Sequence, residues 1–304
     1  MSVLKTSSSP HIRSSVTTRR IMLDVIIALI PSIIASCLIF GPQSLLIIAV
    51  SVITCVLCEY ISGRVMKRST SIFDLTAVVT GILLALTLPV RIPIYVVVLG
   101  AAFSIVITKQ LFGGLGHNIF NPALAGRAFM LISFAAQFSN CDSFINDAIT
   151  GATPLSIGYS ETVDYLQLVL GTHSGSIGET CKIAILLGFA YLLIRKVISV
   201  RIPLVMVGAV ALTSLLIGRE PLYEVLTGGV LFASVFMATD YVTSPVGKLG
   251  QIIYAALCGI ITVLIRAFGA YPEGTMFAIL IMNAATPLID KLCRPRVFGE
   301  VACK

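Results

Sequence analysis

Charge is scarce in this chain. Asp, Glu, Lys and Arg make up 12% of its 304 residues, against 57% hydrophobic residues and a mean hydropathy of +1.00. A soluble domain carries about twice that share of charge. A cytosolic globule and a disordered chain are therefore excluded. The 8 cysteines are diluted and lie mostly inside apolar runs, which excludes a disulfide scaffold. The chain also lacks a dinucleotide-binding glycine fingerprint, a cysteine cluster suited to an iron–sulfur centre, and a soluble domain. No cleavable signal peptide is expected, because the first apolar run is too long and has no small-residue cleavage site.

Long hydrophobic runs are abundant. A membrane-crossing helix needs about 17–25 mostly apolar residues, and ten such stretches can be read: 21–40, 44–62, 73–89, 92–112, 122–138, 181–195, 199–218, 222–239, 250–268 and 274–290. The third, fifth, eighth and tenth are short and contain Gly, Pro, Thr or Asn. The runs are continuous and not alternating, so a barrel is disfavoured. Helices then satisfy the backbone inside the bilayer. The expected fold is an all-α polytopic membrane protein.

Lys and Arg set its expected orientation. Most lie in the N-terminal tail, in the loops after spans 2, 4, 6 and 8, and in the C-terminal tail, where Lys291, Arg294, Arg296 and Lys304 sit. The other side holds Arg91, Lys182, Arg219 and Arg266, while Arg127 falls inside span 5. Both termini are thus expected in the cytoplasm, in a multi-pass cell-membrane protein. The net charge of +7 is the inside bias, and no nucleic-acid partner is implied. From Ala128 to Cys181 there is no Lys or Arg, and the outer loop of that stretch, 139–180, is the longest connection. Long loops without structure of their own are often functional. Within it, 164–171 suits a short helix on the membrane surface.

The two halves echo each other. TGILLALTLP (80–89) matches TGGVLFASVFMATD (227–240), and Lys109 before Phe112-Gly113 matches Arg266 before Phe268-Gly269. Each is followed by an Asn and an interrupted span, at Asn121 and Asn283. Five spans per repeat is an odd number, so the second half is expected to be inverted, a transporter-type signature. The expected organisation is a cytoplasmic tail (1–20), a first five-helix half (21–138), the outer loop (139–180), a second half (181–290) and a cytoplasmic tail (291–304).

The strongest local signal is Asp147-Ala-Ile-Thr150-Gly151-Ala152-Thr153-Pro154 in the outer loop. Gly151 and Ala152 would let a bulky group approach Thr153 closely, and Pro154 stiffens the chain behind it. The residues alone also fit an Asx- or ST-type turn.

This string resembles the D-x-x-(S/T)-G-A-T signature recognised by a periplasmic flavin transferase, an enzyme that moves FMN from FAD onto the last threonine through a phosphoester bond. Asp147, Thr150, Gly151, Ala152 and Thr153 fill every specified position. The stretches 7–36, 113–129, 238–251 and 270–290 resemble the D subunit of the Rnf ion-motive electron transport complex, a family shared with the B subunit of the sodium-pumping NADH:quinone reductase. The resemblance runs nearly end to end and implies covalent FMN on Thr153. It also implies electron relay coupled to Na⁺ or H⁺ translocation, within a ferredoxin:NAD⁺ oxidoreductase that is not catalytic through this chain alone. The implied partners are the A, B, C, E and G-type subunits (the second flavinylated subunit above all), the flavin transferase and the lipid bilayer. Non-covalent riboflavin at the repeat interface is implied by analogy with the relative. The rival reading is a solute channel or secondary transporter, and a weaker third is a purely structural anchor.

An esterified phosphate would favour nearby donors or a helix N-terminus. Lys182 is the nearest cation in sequence, Arg127 could reach from span 5, and Phe138, Phe144 and Tyr159 could stack on the ring. The string Ala285-Thr286-Pro287-Leu288 repeats the ATPL of 152–155 but has Leu280, not an acid, six positions before its threonine. Thr286 is therefore expected to stay unmodified. Other intramembrane polar candidates are Asp24, Asp74, Asp240, Asn121 and Asn283, with Asp24 expected at the interface and Asp74 and Asp240 at span ends. Asn121-Pro122 reads as a helix start, and Cys55 and Cys58 as apolar packing. Cys141 and Cys181 bracket the outer loop without establishing a disulfide, and His117 and His173 have no metal-ligand company.

Overall fold

The computed structural model describes residues 17–67, 72–140, 165–171, 175–269 and 273–293. Among these residues every regular element is helical. In chain order they are α1 (Thr18–Phe40), α2 (Pro42–Val65), a 3₁₀ turn (Ile72–Asp74), α3 (Thr76–Leu86), α4 (Ile94–Ile105) running into a π turn (Val106–Gln110), α5 (Pro122–Ser133), α6 (Ala135–Asn140), α7 (Tyr165–Leu170), α8 (Lys182–Ile194), α9 (Arg201–Ile217), α10 (Pro221–Leu226), α11 (Val230–Phe236), α12 (Lys248–Phe268) and α13 (Thr275–Leu292). Four of them, α1, α2, α12 and α13, are long and apolar enough to cross a membrane. The exposed faces of these four carry large apolar side chains such as Leu38, Ile53, Leu264 and Ile281. In water such a surface would aggregate, whereas in lipid it is the matched surface.

Helix ends follow local chemistry. The Thr17 hydroxyl accepts from the Arg20 N–H at 3.4 Å, which opens α1. α1 stops at Gly41, at φ 77°, and Pro42 then starts α2. The expected cap at Asn121 is present: its side-chain oxygen accepts from the N–H groups of Ala123 (3.1 Å) and Leu124 (3.4 Å). The short helix expected near 164–171 is α7. The eighth stretch is broken outright, with Thr227–Gly229 separating α10 from α11.

Close helix crossings depend on small residues, as lipid-embedded packing requires. A Cβ on Gly188 of α8 would stand 2.3 Å from the Ala28 carbonyl oxygen of α1. Packing pairs α1 with α8 and α5 with α13. It also pairs α2 with α3 and α4, and α9 with α11 and α12. α3, buried along almost its whole length, lies at the centre.

Candidate functional site

Two polar regions lie near opposite ends of α8, separated by roughly 18 Å at 1.5 Å rise per residue. Both are built from charged side chains sunk among apolar helices.

The first gathers around Glu179, in the non-helical stretch just before α8. This stretch is tied to the end of α3, where the Ile177 N–H donates to the Leu88 carbonyl (3.0 Å) and the Gly178 N–H to that of Leu86 (2.7 Å). Ser176 through Lys182 are buried apart from Cys181. Irregular backbone at such depth is tolerated only inside protein. The Glu179 carboxylate accepts from the Ser176 hydroxyl (2.5 Å) and from Arg127 (3.1 Å). Arg127, 6% exposed, also pairs with Glu273 in the connection before α13. Arg266 donates to the Glu224 side chain (2.7 Å) and to the Glu224 and Thr227 carbonyls (2.6 and 3.2 Å). Arg219 takes the other Glu224 oxygen at 2.8 Å. Gly229 faces the Glu179 carboxylate so closely that a Cβ there would lie 2.3 Å from it. Lys182 is different: among the described residues its ammonium donates only to the Glu179 backbone carbonyl.

The second region is a cavity of about 100 Å³ lined by both parts of the chain, with Thr76, Thr80, Lys109, Asn118, Asn121, Thr239 and Asp240 among its walls. That space admits several waters but is below the about 300 Å³ at which ligand pockets begin. Lys109 donates to Glu59 and to the Thr76 hydroxyl, each at 2.7 Å, and Gln110 reaches the same Glu59 oxygen at 3.3 Å. The π turn carries Lys109 into this position. Asp240 lies in the turn after α11, where it accepts from the Val242 N–H and the Thr243 hydroxyl. Burial pushes its carboxyl above the ordinary range, against those two hydrogen bonds.

Several expectations can be placed. Asp147, Thr150, Gly151, Ala152 and Thr153 lie outside the described residues, as do Cys141, Phe144, Tyr159 and His173. Arg127 is held by two carboxylates. Phe138 packs against the core. Asp24, expected at the interface, is instead buried and bound by Arg195 (3.2 and 3.3 Å) and the Tyr191 hydroxyl (3.1 Å), because α8 packs along α1 and brings its basic end to it. Asp74 sits half-buried in the 3₁₀ turn. Cys55 is buried with its thiol 4.0 Å from the Ala101 carbonyl, as packing requires. Cys181 is a free thiol. His117 sits near the Leu115 carbonyl, and among the described residues no group of His, Cys, Asp and Glu could hold a metal ion. Thr286 is buried, its hydroxyl 2.9 Å from the Thr243 carbonyl and 3.0 Å from that of Met282.

Sequence reasoning misses Glu59, Glu179 and Glu224 as intramembrane candidates. Glu59 carries a usable signal, being the one acid in the 24 residues of α2. By sequence, Glu179 and Glu224 fall in a loop and at a span edge, where an acid draws no attention.

Known proteins resemble this chain over nearly its whole length. The NQR2, RnfD, RnfE family matches residues 5–299. The D subunit of the Na⁺-translocating ferredoxin:NAD⁺ oxidoreductase complex of Acetobacterium woodii is 42% identical, covering 99% of this chain and 97% of its own. The D subunit of the proton-translocating ferredoxin:NAD⁺ oxidoreductase complex of Clostridium ljungdahlii is 41% identical, covering 96% and 95%. The D subunit of an ion-translocating oxidoreductase complex of Escherichia coli K12 is 33% identical, covering 98% and 99%. This chain belongs to the NQR2, RnfD, RnfE family.

Proposed function

We propose that the chain is the D-type membrane subunit of an Rnf ferredoxin:NAD⁺ oxidoreductase, and that it relays electrons through FMN esterified to Thr153. The end-to-end likeness to D subunits named for that activity supports the complex. The string Asp147 to Thr153, complete at every specified position, supports the attachment. Bound there, FMN would supply one- and two-electron transfer. The chain's own residues would supply position and charge. Asp147, Thr150, Gly151 and Ala152 would present the Thr153 hydroxyl to a flavin transferase, and the buried cations around Glu179 would set the local potential. Arg127 orders that region by tying α5 to the connections before α8 and α13.

The same reading extends to topology: ten spans in two inverted halves, 21–138 and 181–290, with the 139–180 loop outside the cytoplasm and the tails 1–20 and 291–304 inside. Mirrored packing supports it. α2 meets α3 and α4 as α9 meets α11 and α12, while α1 meets α8 and α5 meets α13. The matched cations Lys109 and Arg266 each pair with a buried glutamate, Glu59 and Glu224. The other Rnf subunits, including a second flavinylated one, are the proposed partners. The coupling ion is Na⁺ or H⁺: relatives named for each are equally similar, at 42% and 41%. Non-covalent riboflavin at the interface of the two halves is part of the same reading, by analogy with the sodium-pumping relative; a cavity of about 370 Å³ between Phe103, Phe129 and Leu280 is of a size that could take it.

The test is co-expression with a flavin transferase, followed by a denaturing gel viewed for flavin fluorescence. A band in the parent protein and in Thr286→Val, absent in Thr153→Val, is expected. A dark parent band beside a labelled control substrate would overturn the attachment.

A further inference from the structure

α1 has protein on one side and an exposed apolar face on the other. Its largest contact is with α8, while Leu23, Ile30 and Ile34 point away from the fold and are exposed. Its first turns also form a wall of the cavity beside Lys109 and Asp240. Ile21, Met22 and Val25 line that cavity from α1, and Leu192, Val197 and Ile198 line it from the end of α8 and the turn behind it. These six side chains are apolar, so only packing joins the two sides of the wall.

One polar contact stands beside that wall. Asp24, the neighbour of Val25, accepts from Arg195 through both carboxylate oxygens (3.2 and 3.3 Å) and from the Tyr191 hydroxyl (3.1 Å). Tyr191 is the neighbour of Leu192 in turn. A fork of this kind is specific in geometry. The carboxylate is buried, whereas the Arg195 side chain is 38% exposed and keeps part of its water. Parting the two therefore costs less than parting a fully buried pair.

The same helix has a weak point one to two turns further on. Pro31 has no N–H, so the Ile27 carbonyl lacks its usual partner, and helices bend at such places. The next side chain, Ser32, is buried with no hydrogen-bond partner for its hydroxyl among the described residues. Between this point and Asp24, α1 meets α8 with no side chain in between: a Cβ on Gly188 would stand 2.3 Å from the Ala28 carbonyl oxygen.

We propose that the stretch of α1 from Thr18 to Ala28 is a gate over this cavity, latched to α8 by Asp24 with Arg195 and Tyr191, pivoting at the Ala28–Gly188 crossing and bending at Pro31. Shut, it leaves about 100 Å³, room for several waters. Open, it admits small hydrophilic solutes to Lys109 and Asp240. Closures of this kind are absorbed by a few hinge residues while the helices on either side keep their form. Arg195 stands outside the cavity lining and is a positioning residue: it acts through the place it gives α1.

The experiment uses the full chain in its complex. Thr80→Cys places a thiol in the cavity wall, and Thr213→Cys, on α9 and outside the cavity, is the reference. The probe is a positively charged methanethiosulfonate, and the rate of mixed-disulfide formation at each position is read by mass spectrometry of the peptide that carries it. Arg195→Met should raise the rate at position 80 about tenfold, the effect of a lost charged hydrogen bond, and leave position 213 unchanged. Tyr191→Phe should raise it less, about threefold. Pro31→Ala, which restores the backbone bond in α1, should lower the rate at position 80 below that of the parent. An unchanged rate at position 80 in Arg195→Met overturns the gate, and so does an equal rise at both positions, which is general loosening. If Arg195→Met does not assemble, the near-isosteric Tyr191→Phe decides, and an unchanged rate there overturns the gate. A rate in Pro31→Ala equal to or above that of the parent overturns the hinge.

Discussion

The backbone N–H of Asn121 donates across 3.1 Å to the side-chain oxygen of Asn283, whose side-chain nitrogen in turn donates to the Tyr254 hydroxyl (2.8 Å) and the Ile279 carbonyl (3.2 Å). This amide orientation is the one that satisfies all three groups. Asn121 also reaches the Met237 carbonyl with its own side chain, at 3.4 Å. Two asparagines at matching places in the two halves of the sequence therefore meet at the junction of α5, α13 and the turn after α11. Asn283→Leu would strand the Asn121 N–H and leave the Tyr254 hydroxyl with only the weakly bonding Cys258 thiol in an apolar setting. The expected loss is about 2–4 kcal/mol, two groups at about 1–3 each with partial relaxation. A thermal unfolding series in detergent would check it, and an unchanged midpoint would show that Asn283 is not bound as described.

Lys109 and Glu59 form a buried pair, so breaking it from either side should be costly. Lys109→Met and Glu59→Gln alone should each cost about 3–5 kcal/mol. The double substitution should cost less than the sum of the two. Strict additivity in the cycle would mean that the pair is not coupled.

Arg127 bridges two carboxylates, and Glu273 is one end of that bridge. Arg127→Met leaves both acids behind, whereas Glu273→Gln leaves a neutral group near solvent. The first should therefore be the more damaging by at least about 1–2 kcal/mol. Equal effects on the unfolding midpoint would count against the bridge.

Two glycines give a contrast in packing. Gly188→Ala drives a Cβ to 2.3 Å from the Ala28 carbonyl, a backbone atom that cannot swing aside. It should separate α1 from α8 and lower the yield of folded protein. Gly208, inside α9, has nothing described within 4 Å of the added Cβ. Gly208→Ala should stabilise by about 0.5–1 kcal/mol through helix propensity alone. Similar behaviour of the two variants would refute the close crossing.

Much of this architecture is legible in the sequence because lipid makes strong demands. Runs of apolar residues betray helices, and the Asn121-Pro122 start and the broken stretch near Thr227 can be read from local chemistry. The ion pairs cannot. Glu59 and Lys109 are 50 positions apart, and Arg127 and Glu273 are 146 apart. No periodicity links such residues, and only the crossing of helices brings them together. Asp24 shows the same limit: near the start of α1 nothing in the sequence keeps it from the interface, but the packing of α8 encloses it and supplies Arg195. The proposed attachment string is legible for the opposite reason: a motif to be read by a transferase would have to stand written in linear form.

The π turn at Val106–Gln110 gives α4 a spare residue. A π turn holds one more residue than the α turn it replaces. Deleting a single residue from it would restore an ordinary α turn and leave the chain beyond it in nearly its original orientation. The same deletion inside the unbroken helix α12 would rotate everything beyond it by about 100° and carry Arg266 away from Glu224. Of the two helices that bear these buried cations, the one with the irregular turn is therefore the one that can absorb a lost codon.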